Sequence, residues 1–216
     1  MDYNNKPDRY YSKIRQEMID FLPSTAKTVL DIGCGEAAFA SFIKDKFGAE
    51  VWGMERTPGP AAVAETKLDK VLVGDCESRI KDLPDGYFDA VYFNDVLEHL
   101  VDPYEVLTAI KSKLSPNGVV ISSIPNVRYF RVLKMLLVNK DWGYEKDGVM
   151  DRTHLRFFTS KSIRRIYKDL GYEILAHRGI NRTKSLKPYL YNIPLFFSAM
   201  DMFYIQYATV AKKSPE

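Results

Sequence analysis

Three groups of residues in this chain have the types and spacing to do chemistry. The first is Asp31-Ile32-Gly33-Cys34-Gly35-Glu36-Ala37-Ala38, a G-x-G-x-x-A run bracketed by two carboxylates. Glycines at those positions let the backbone turn tightly and approach a ligand without Cβ clashes. By itself the run also fits a dinucleotide pyrophosphate. The second group extends the first: Glu55 stands twenty positions after Gly35, and Asp75 follows Gly74. The third is centred on histidine. His99 closes Asn94-Asp95-Val96-Leu97-Glu98-His99, and His154 sits in Asp151-Arg152-Thr153-His154-Leu155-Arg156.

The carboxylates decide what the glycine loop suits. Asp31 and Glu36 would repel a pyrophosphate, which favours a helix N-terminus without negative charge around it. They favour a cation instead. S-adenosylmethionine carries no phosphate but has a sulfonium and an α-ammonium group, so it matches such a loop. A carboxylate at Glu55 can accept hydrogen bonds from both hydroxyls of a ribose. One at Asp75 can accept from an adenine amino group. A helix N-terminus explains a single acid. Four acids near the carboxyl ends of successive strands instead mark the ligand edge of an open α/β sheet. Asp31 argues against the nicotinamide-dependent oxidoreductase that the glycines alone would allow.

The histidines suit proton removal. A hydroxyl or ammonium acceptor must lose a proton on methylation, and a positioned base typically contributes ~10²–10⁴-fold. His154 is the preferred base and His99 its competitor. Arg152 and Arg156 flank His154 and can hold an anionic group on the same acceptor. His177, after the sixth predicted strand, reads as a surface residue. Asp95, Glu98 and His99 fall on one face of a helical turn and have ligand types that suit a divalent metal. A hydrogen-bonded network that orders the loop is the preferred reading of them, so no metal is expected.

Alternating strands and helices must position these groups. Thr28–Ile32, Glu50–Glu55, Lys70–Val73, Phe88–Phe93 and Gly118–Ile124 read as buried strands, with helices at 8–22, 36–47 and 103–114. This is the pattern of a parallel α/β sheet. Residues 126–158 form a less regular insertion, with an apolar helix YFRVLKMLLV that suits a lid, a core helix or a membrane contact. A helix at 160–170, a strand at 172–176 and a last strand at 203–211 follow. The chain reads as one domain over 1–216, with 1–26 as a helical cap.

Composition narrows the partners. The net charge of +3 is too small to point to nucleic acid, and no apolar run is long enough to span a bilayer. Peripheral membrane contact stays open. The two cysteines, Cys34 and Cys76, have neither metal-ligand spacing nor a disulfide framework, which fits a reducing, cytoplasmic setting.

Five motifs in order carry a resemblance. VLDIGCG, the acid Glu55, GDCE, FDAVYFNDVLEHL and LSPNGVVISSIPN resemble motifs of the class I S-adenosylmethionine-dependent methyltransferase superfamily, over roughly residues 10–212. Asn117-Gly118 stands where that family often has Gly-Gly. The stretch from PNVRYFRVL to DRTHLRFFTSKSIRRIYKDLGYEI is similar to a branch linked with bacterial glycan and polysaccharide assembly. NDVLEHL is similar to quinone O-methyltransferases, some of which use a metal at such residues.

The resemblance implies a Rossmann-like, doubly wound, seven-stranded and mostly parallel sheet. Its last strand would be antiparallel and inserted beside the fifth, with a helical insertion after strand five. It also implies roles. Asp31, Gly33 and Gly35 would contact the methionine half of the cofactor, and Glu55 the ribose. Asp75 and Cys76 would flank the adenine, and Asn94 would lie beside the sulfonium. Tyr10 and Tyr11 would close over the cofactor or pack a helix face. The expected reaction is O-methylation of a small-molecule or glycan-type acceptor. The alternative is a quinone-like aromatic acceptor handled with a divalent metal.

Overall fold

The computed structural model describes residues 14–214. Its seven strands are β1 (Thr28–Ile32), β2 (Glu50–Glu55), β3 (Lys70–Val73), β4 (Phe88–Asn94), β5 (Leu114–Pro125), β6 (Tyr172–Arg182) and β7 (Tyr204–Lys213). They form one sheet in the order β3-β2-β1-β4-β5-β7-β6. The first five are parallel, and β7 runs antiparallel between β5 and β6. This is the sheet that the resemblance implies.

The sheet is buried on both faces because its central strands are apolar on both. Val29, Val51, Ala90, Tyr92 and Ile121 pack on one side with α1 (Gln16–Ile19) and α2 (Ala38–Phe47). Leu30, Met54, Val91, Phe93 and Val120 pack on the other. There they meet α5 (Pro103–Ile110) and α7 (Ser160–Asp169) through Val106, Leu107, Ile163 and Tyr167. Period-two alternation thus divides one strand between two cores. Local side-chain and backbone signals set the helix ends. Gly48 ends α2 in the left-handed region at φ 64°, Asp102 caps α5 with Pro103 in its first turn, and Thr159 caps α7 in a reciprocal box with Ser162.

Several boundaries differ from the sequence reading. Two short helices, α3 (Pro58–Glu65) and α4 (Cys76–Arg79), were not predicted. α5 stops at Ile110, because Leu114 leaves the following 3-10 turn to start β5 four residues before the predicted strand. β6 runs on to Arg182, past the apolar stretch, because backbone pairing with β7 needs no apolar side chains. His177 is not on the surface. It lies within β6, stacks on Tyr207 at 4.9 Å between centroids, and meets Ser160 and Thr209. Burial and the nearby Arg164 push its imidazole down to about 4. Of the predicted 8–22 helix, the described residues hold Gln16–Ile19.

The insertion is anchored at its base. Asn126, fully buried, donates to the carbonyls of Asp201 and Tyr204 and forms an isolated bridge with Phe158. α6 (Phe130–Leu137) buries Phe130 and Val132 against Met150, Ala199 and Met202, and leaves Leu136, Leu137 and Val138 exposed. A further helix, α8 (Lys187–Asn192), precedes the exposed Phe196 and Phe197. Among the described residues no helix is long and apolar enough to cross a membrane.

Candidate active site

A cavity of about 970 Å³ opens at the carboxyl ends of β1, β2 and β4. Asp31, Gly33, Gly35, Glu55, Asp75, Cys76, Asn94 and His99 all line it, so one cavity gathers most of the residues predicted from sequence. Glu36 is not among the lining residues, so only one of the two acids that bracket the glycines enters. Tyr10 and Tyr11 lie outside the described residues.

The loop after β1 is shaped by backbone that only glycine adopts easily. Gly33 and Gly35 have φ of 75° and 56°. A Cβ on Gly33 would stand 2.7 Å from Val96 Cγ2. The N–H groups of Gly33 and Cys34 donate to the Met54 carbonyl, which ties the loop to β2. Glu55 completes the tie. Its Oε2 accepts from the Gly35 N–H at 2.9 Å and its Oε1 from the Thr57 N–H at 2.8 Å.

Two polar side chains face the cavity with unmet hydrogen-bonding capacity. Asp31 is 3% exposed, and its Oδ1 has no hydrogen-bond partner among the described residues. Burial, and next the charge of Glu55, push its carboxyl up to about 8, with Arg15 partly opposing them. Asn94, at the end of β4, has both side-chain polar atoms buried and unpartnered among the described residues. Asp75 is already engaged. It caps α4 through the Glu77 N–H and lies 3.7 Å from Arg56. Cys34 and Cys76 are buried thiols whose ionisation is opposed by burial, with Cys76 pushed up to about 12.

The third group of residues divides in space. Asp95 turns at φ 56° and pairs with the buried Arg15, and also with Gln206 and Ser123. Arg15 further holds Glu17, Ser123 and Gln206. Sequence reasoning missed this hub, because its members come from four separate stretches of chain, around positions 15, 95, 123 and 206. Asp95 therefore faces Arg15 and does not join the Glu98 and His99 ligand set that its spacing suggested. His154 takes that place: its ring meets His99 edge to face at 4.7 Å, and its Nε2 is 3.9 Å from Glu98 Oε1. Burial, with Asp95, holds the Glu98 carboxyl well above the usual carboxylate range.

His99 lines the cavity, whereas His154, 7% exposed, stands behind it. The predicted flanking arginines also point elsewhere. Arg152 is exposed, and Arg156 donates to the Val101 carbonyl beside a smaller cavity of about 430 Å³. Of the 126–158 insertion, only Asp147 and Gly148 line the main cavity, so α6 contributes no wall to it.

The sequence pattern described as "Methyltransferase domain" matches residues 3–177 of this chain. The chain belongs to that family. It is a methyltransferase domain of the S-adenosylmethionine-dependent class I superfamily. Over 128 residues it is 33% identical to the ubiquinone biosynthesis O-methyltransferase of Pseudomonas paraeruginosa, covering 56% of this chain and 54% of that protein. The corresponding protein of Chromobacterium violaceum is 28% identical over 190 residues, covering 83% of this chain and 80% of that one. Apart from that longer match, the chain spans about half the length of the curated ubiquinone relatives named here. The solved structure of an S-adenosylmethionine-dependent methyltransferase from Archaeoglobus fulgidus superposes with a TM-score of 0.64 at 22% identity, covering 91% of both chains. That likeness is one of fold.

The cavity of the methyltransferase domain fits this cofactor. An unpartnered buried carboxylate oxygen on Asp31 suits an ammonium donor, and the open amide of Asn94 can both donate and accept. Glu55 uses one lone pair on each oxygen for Gly35 and Thr57, which leaves one on each for a ligand hydroxyl.

Proposed function

We propose that this domain transfers a methyl group from S-adenosylmethionine to a hydroxyl of a small-molecule or glycan-type acceptor. The bound cofactor supplies a methyl carbon on a sulfonium sulfur. Asp31 holds the α-ammonium, Glu55 the ribose diol, and Asp75 with Cys76 the adenine edge. The Gly33–Gly35 loop passes close to the methionine half. Asn94 orients the sulfonium end.

The position of His99 carries this reading. Its ring stands in the wall of the cavity that also holds Asp31, Glu55 and Asn94. Its Nδ1 meets the Thr153 carbonyl at 3.0 Å, so in the neutral ring Nε2 is the acceptor atom. A hydroxyl brought to that wall has a group that assists loss of its proton. The oxygen–methyl bond then forms as the methyl–sulfur bond breaks. The glycine loop and Glu55 contribute by alignment, which is where such displacements gain much of their rate. The relatives named as ubiquinone O-methyltransferases support an oxygen acceptor.

The test is methyl transfer from labelled S-adenosylmethionine to a panel of nucleotide sugars, lipid-linked glycans and phenols. The expected product carries the label on oxygen, with one S-adenosylhomocysteine formed per methyl transferred. Label only on nitrogen or carbon, across acceptors that offer all three, would refute the assignment.

A further inference from the structure

Arg15, Arg56 and Arg182 line the main cavity, and the first two are balanced within the protein. Arg15 pairs with Asp95 and Glu17, and Arg56 stands 3.7 Å from Asp75. Arg182 meets Tyr189 and Phe203 and no carboxylate among the described residues. It is nonetheless held in place. Its guanidinium lies over the Phe203 ring, 4.8 Å from the centroid, and its Nη2 donates to the Tyr189 hydroxyl at 2.8 Å. Phe203 is buried, and its ring meets Tyr189 edge to face at 4.5 Å. The Thr183 N–H donates to the Phe203 carbonyl at 2.9 Å, which fixes the backbone just after Arg182. An arginine that only solvates a surface keeps its rotamer freedom, and this one has given much of it up.

The fold aims this residue at the reaction. β5 and β6 both run antiparallel to β7, so β6 ends at the same edge of the sheet as the cofactor strands. Adjacent side chains of a strand face opposite ways. Asn181, at φ 53°, breaks that alternation, and both Asn181 and Arg182 line the cavity. In the sheet order, β6 is three strands from β4 and four from β1. A strand spacing of about 4.8 Å puts the end of β6 roughly 14 Å from the end of β4 and roughly 19 Å from that of β1. An arginine side chain does not cross the longer distance, so the cofactor carboxylate at the Gly33–Gly35 loop is not its partner. What Arg182 and Tyr189 offer is donors. One guanidinium N–H is spent on Tyr189, and the phenol that accepts it keeps its own O–H.

Resting on the hydroxyl-methylation reading, we propose that Arg182 and Tyr189 form a phosphate subsite that selects acceptors carrying a phosphate several bonds from the hydroxyl to be methylated. A guanidinium binds phosphate through two parallel N–H···O bonds, roughly twice as strong as neutral ones. The distance from the end of β4 suits a sugar phosphate, whose hydroxyl and phosphate stand on opposite sides of a ring. It does not suit a carboxylate next to a phenol hydroxyl. Arg152 and Arg156, which spacing favours for an anionic group, thus yield that task to the end of β6. The connection from β6 to β7 gains a role as well, because it carries Tyr189 and Phe203. Nucleotide sugars and lipid-linked glycans both supply this phosphate chemistry.

The test treats the full chain, loaded with S-adenosylhomocysteine, with phenylglyoxal and reads the modified arginines by mass spectrometry. Inorganic phosphate should saturably slow modification of Arg182 and leave that of the exposed Arg131 unchanged. Acetate and chloride at matched ionic strength should protect neither, and this readout needs no variant to fold. In the methylation panel, Arg182→Gln should raise KM for phosphorylated acceptors by at least about tenfold, with kcat changed less. Arg182→Lys should recover part of the loss, because it keeps the charge without the fork. Tyr189→Phe should raise KM by roughly twofold to tenfold. Arg131→Gln should change nothing, and S-adenosylhomocysteine affinity should be the same in every variant. The proposal is overturned by no protection from phosphate, by equal protection from acetate, or by methylation confined to phosphate-free phenols. An unchanged KM or weakened cofactor binding in folded Arg182→Gln also overturns it. Label on a nucleotide sugar or on a lipid-linked glycan tells the two phosphate sources apart, and either supports the subsite. Label on nitrogen alone, with protection of Arg182 intact, counts against the hydroxyl reading and leaves the phosphate subsite standing.

Discussion

Glu55 Oε2 accepts a hydrogen bond from the backbone N–H of Gly35 at 2.9 Å, across twenty positions of sequence. The acid that ends β2 therefore shapes the loop that ends β1. The carboxylate proposed for the ribose is also a structural support, and its two roles should fail together.

Glu55→Ala should weaken S-adenosylhomocysteine binding by about 1.5–3 kcal/mol, the scale of hydrogen bonds to a charged group. It should also lower stability by roughly 1–3 kcal/mol, because the Gly35 and Thr57 N–H groups lose their acceptor. Calorimetry and denaturant unfolding measure the two separately. An unchanged dissociation constant would move the ribose contact elsewhere.

Asp31 should make both cofactor binding and stability depend on pH. Its carboxyl lies near 8 in the cofactor-free fold, raised by burial and by Glu55. A bound ammonium favours the ionised form, so binding at neutral pH should release a proton from Asp31. The calorimetric enthalpy will then vary with the ionisation enthalpy of the buffer, and Asp31→Asn should remove that part of the variation. The sign for stability follows from the folded value exceeding the unfolded one, near 3.8. The contribution is fully present below the unfolded value and is lost as pH rises from there through about 8. A flat stability difference between wild type and Asp31→Asn across that window would contradict this.

Arg15 and Asp95 form the ion pair that joins the N-terminal segment to the end of β4. Arg15→Met should destabilise the domain by about 2–3 kcal/mol. That is below the ~3–5 kcal/mol for breaking a fully buried pair, because Asp95 is partly exposed. The double variant Arg15→Met with Asp95→Asn should recover part of the loss. Strict additivity in a double-mutant cycle would mean that the pair contributes nothing.

His99 and His154 should act as a unit. His99→Asn and His154→Asn should each lower turnover by about 10²-fold and leave S-adenosylhomocysteine affinity unchanged. The double variant should be little worse than either single one. Independent, multiplicative losses would show that the rings serve separate steps.

The fold was largely legible in the sequence. Short apolar runs between amphipathic stretches identify buried parallel strands, and Pro103 and Gly48 act locally, as their chemistry dictates. The cofactor half of the cavity was legible for the same reason. Asp31, Glu55, Asp75 and Asn94 each follow or end a strand, and parallel strands bring their carboxyl ends to one edge. The long β6 and the short helices α3 and α4 were not, because backbone pairing and helices of one or two turns leave little periodic signal.

The acceptor side depended on contacts between distant residues. Spacing alone grouped Asp95 with Glu98 and His99, but a left-handed turn at Asp95 delivers it to Arg15, eighty positions away. His154 replaces it only because the insertion folds back and pins its backbone to Glu98. The residue types and their places on strands were thus determined by the sequence itself. Which carboxylate faces which histidine was decided by the tertiary structure, because side-chain direction at a strand end is set by the partners that packing brings within hydrogen-bonding reach.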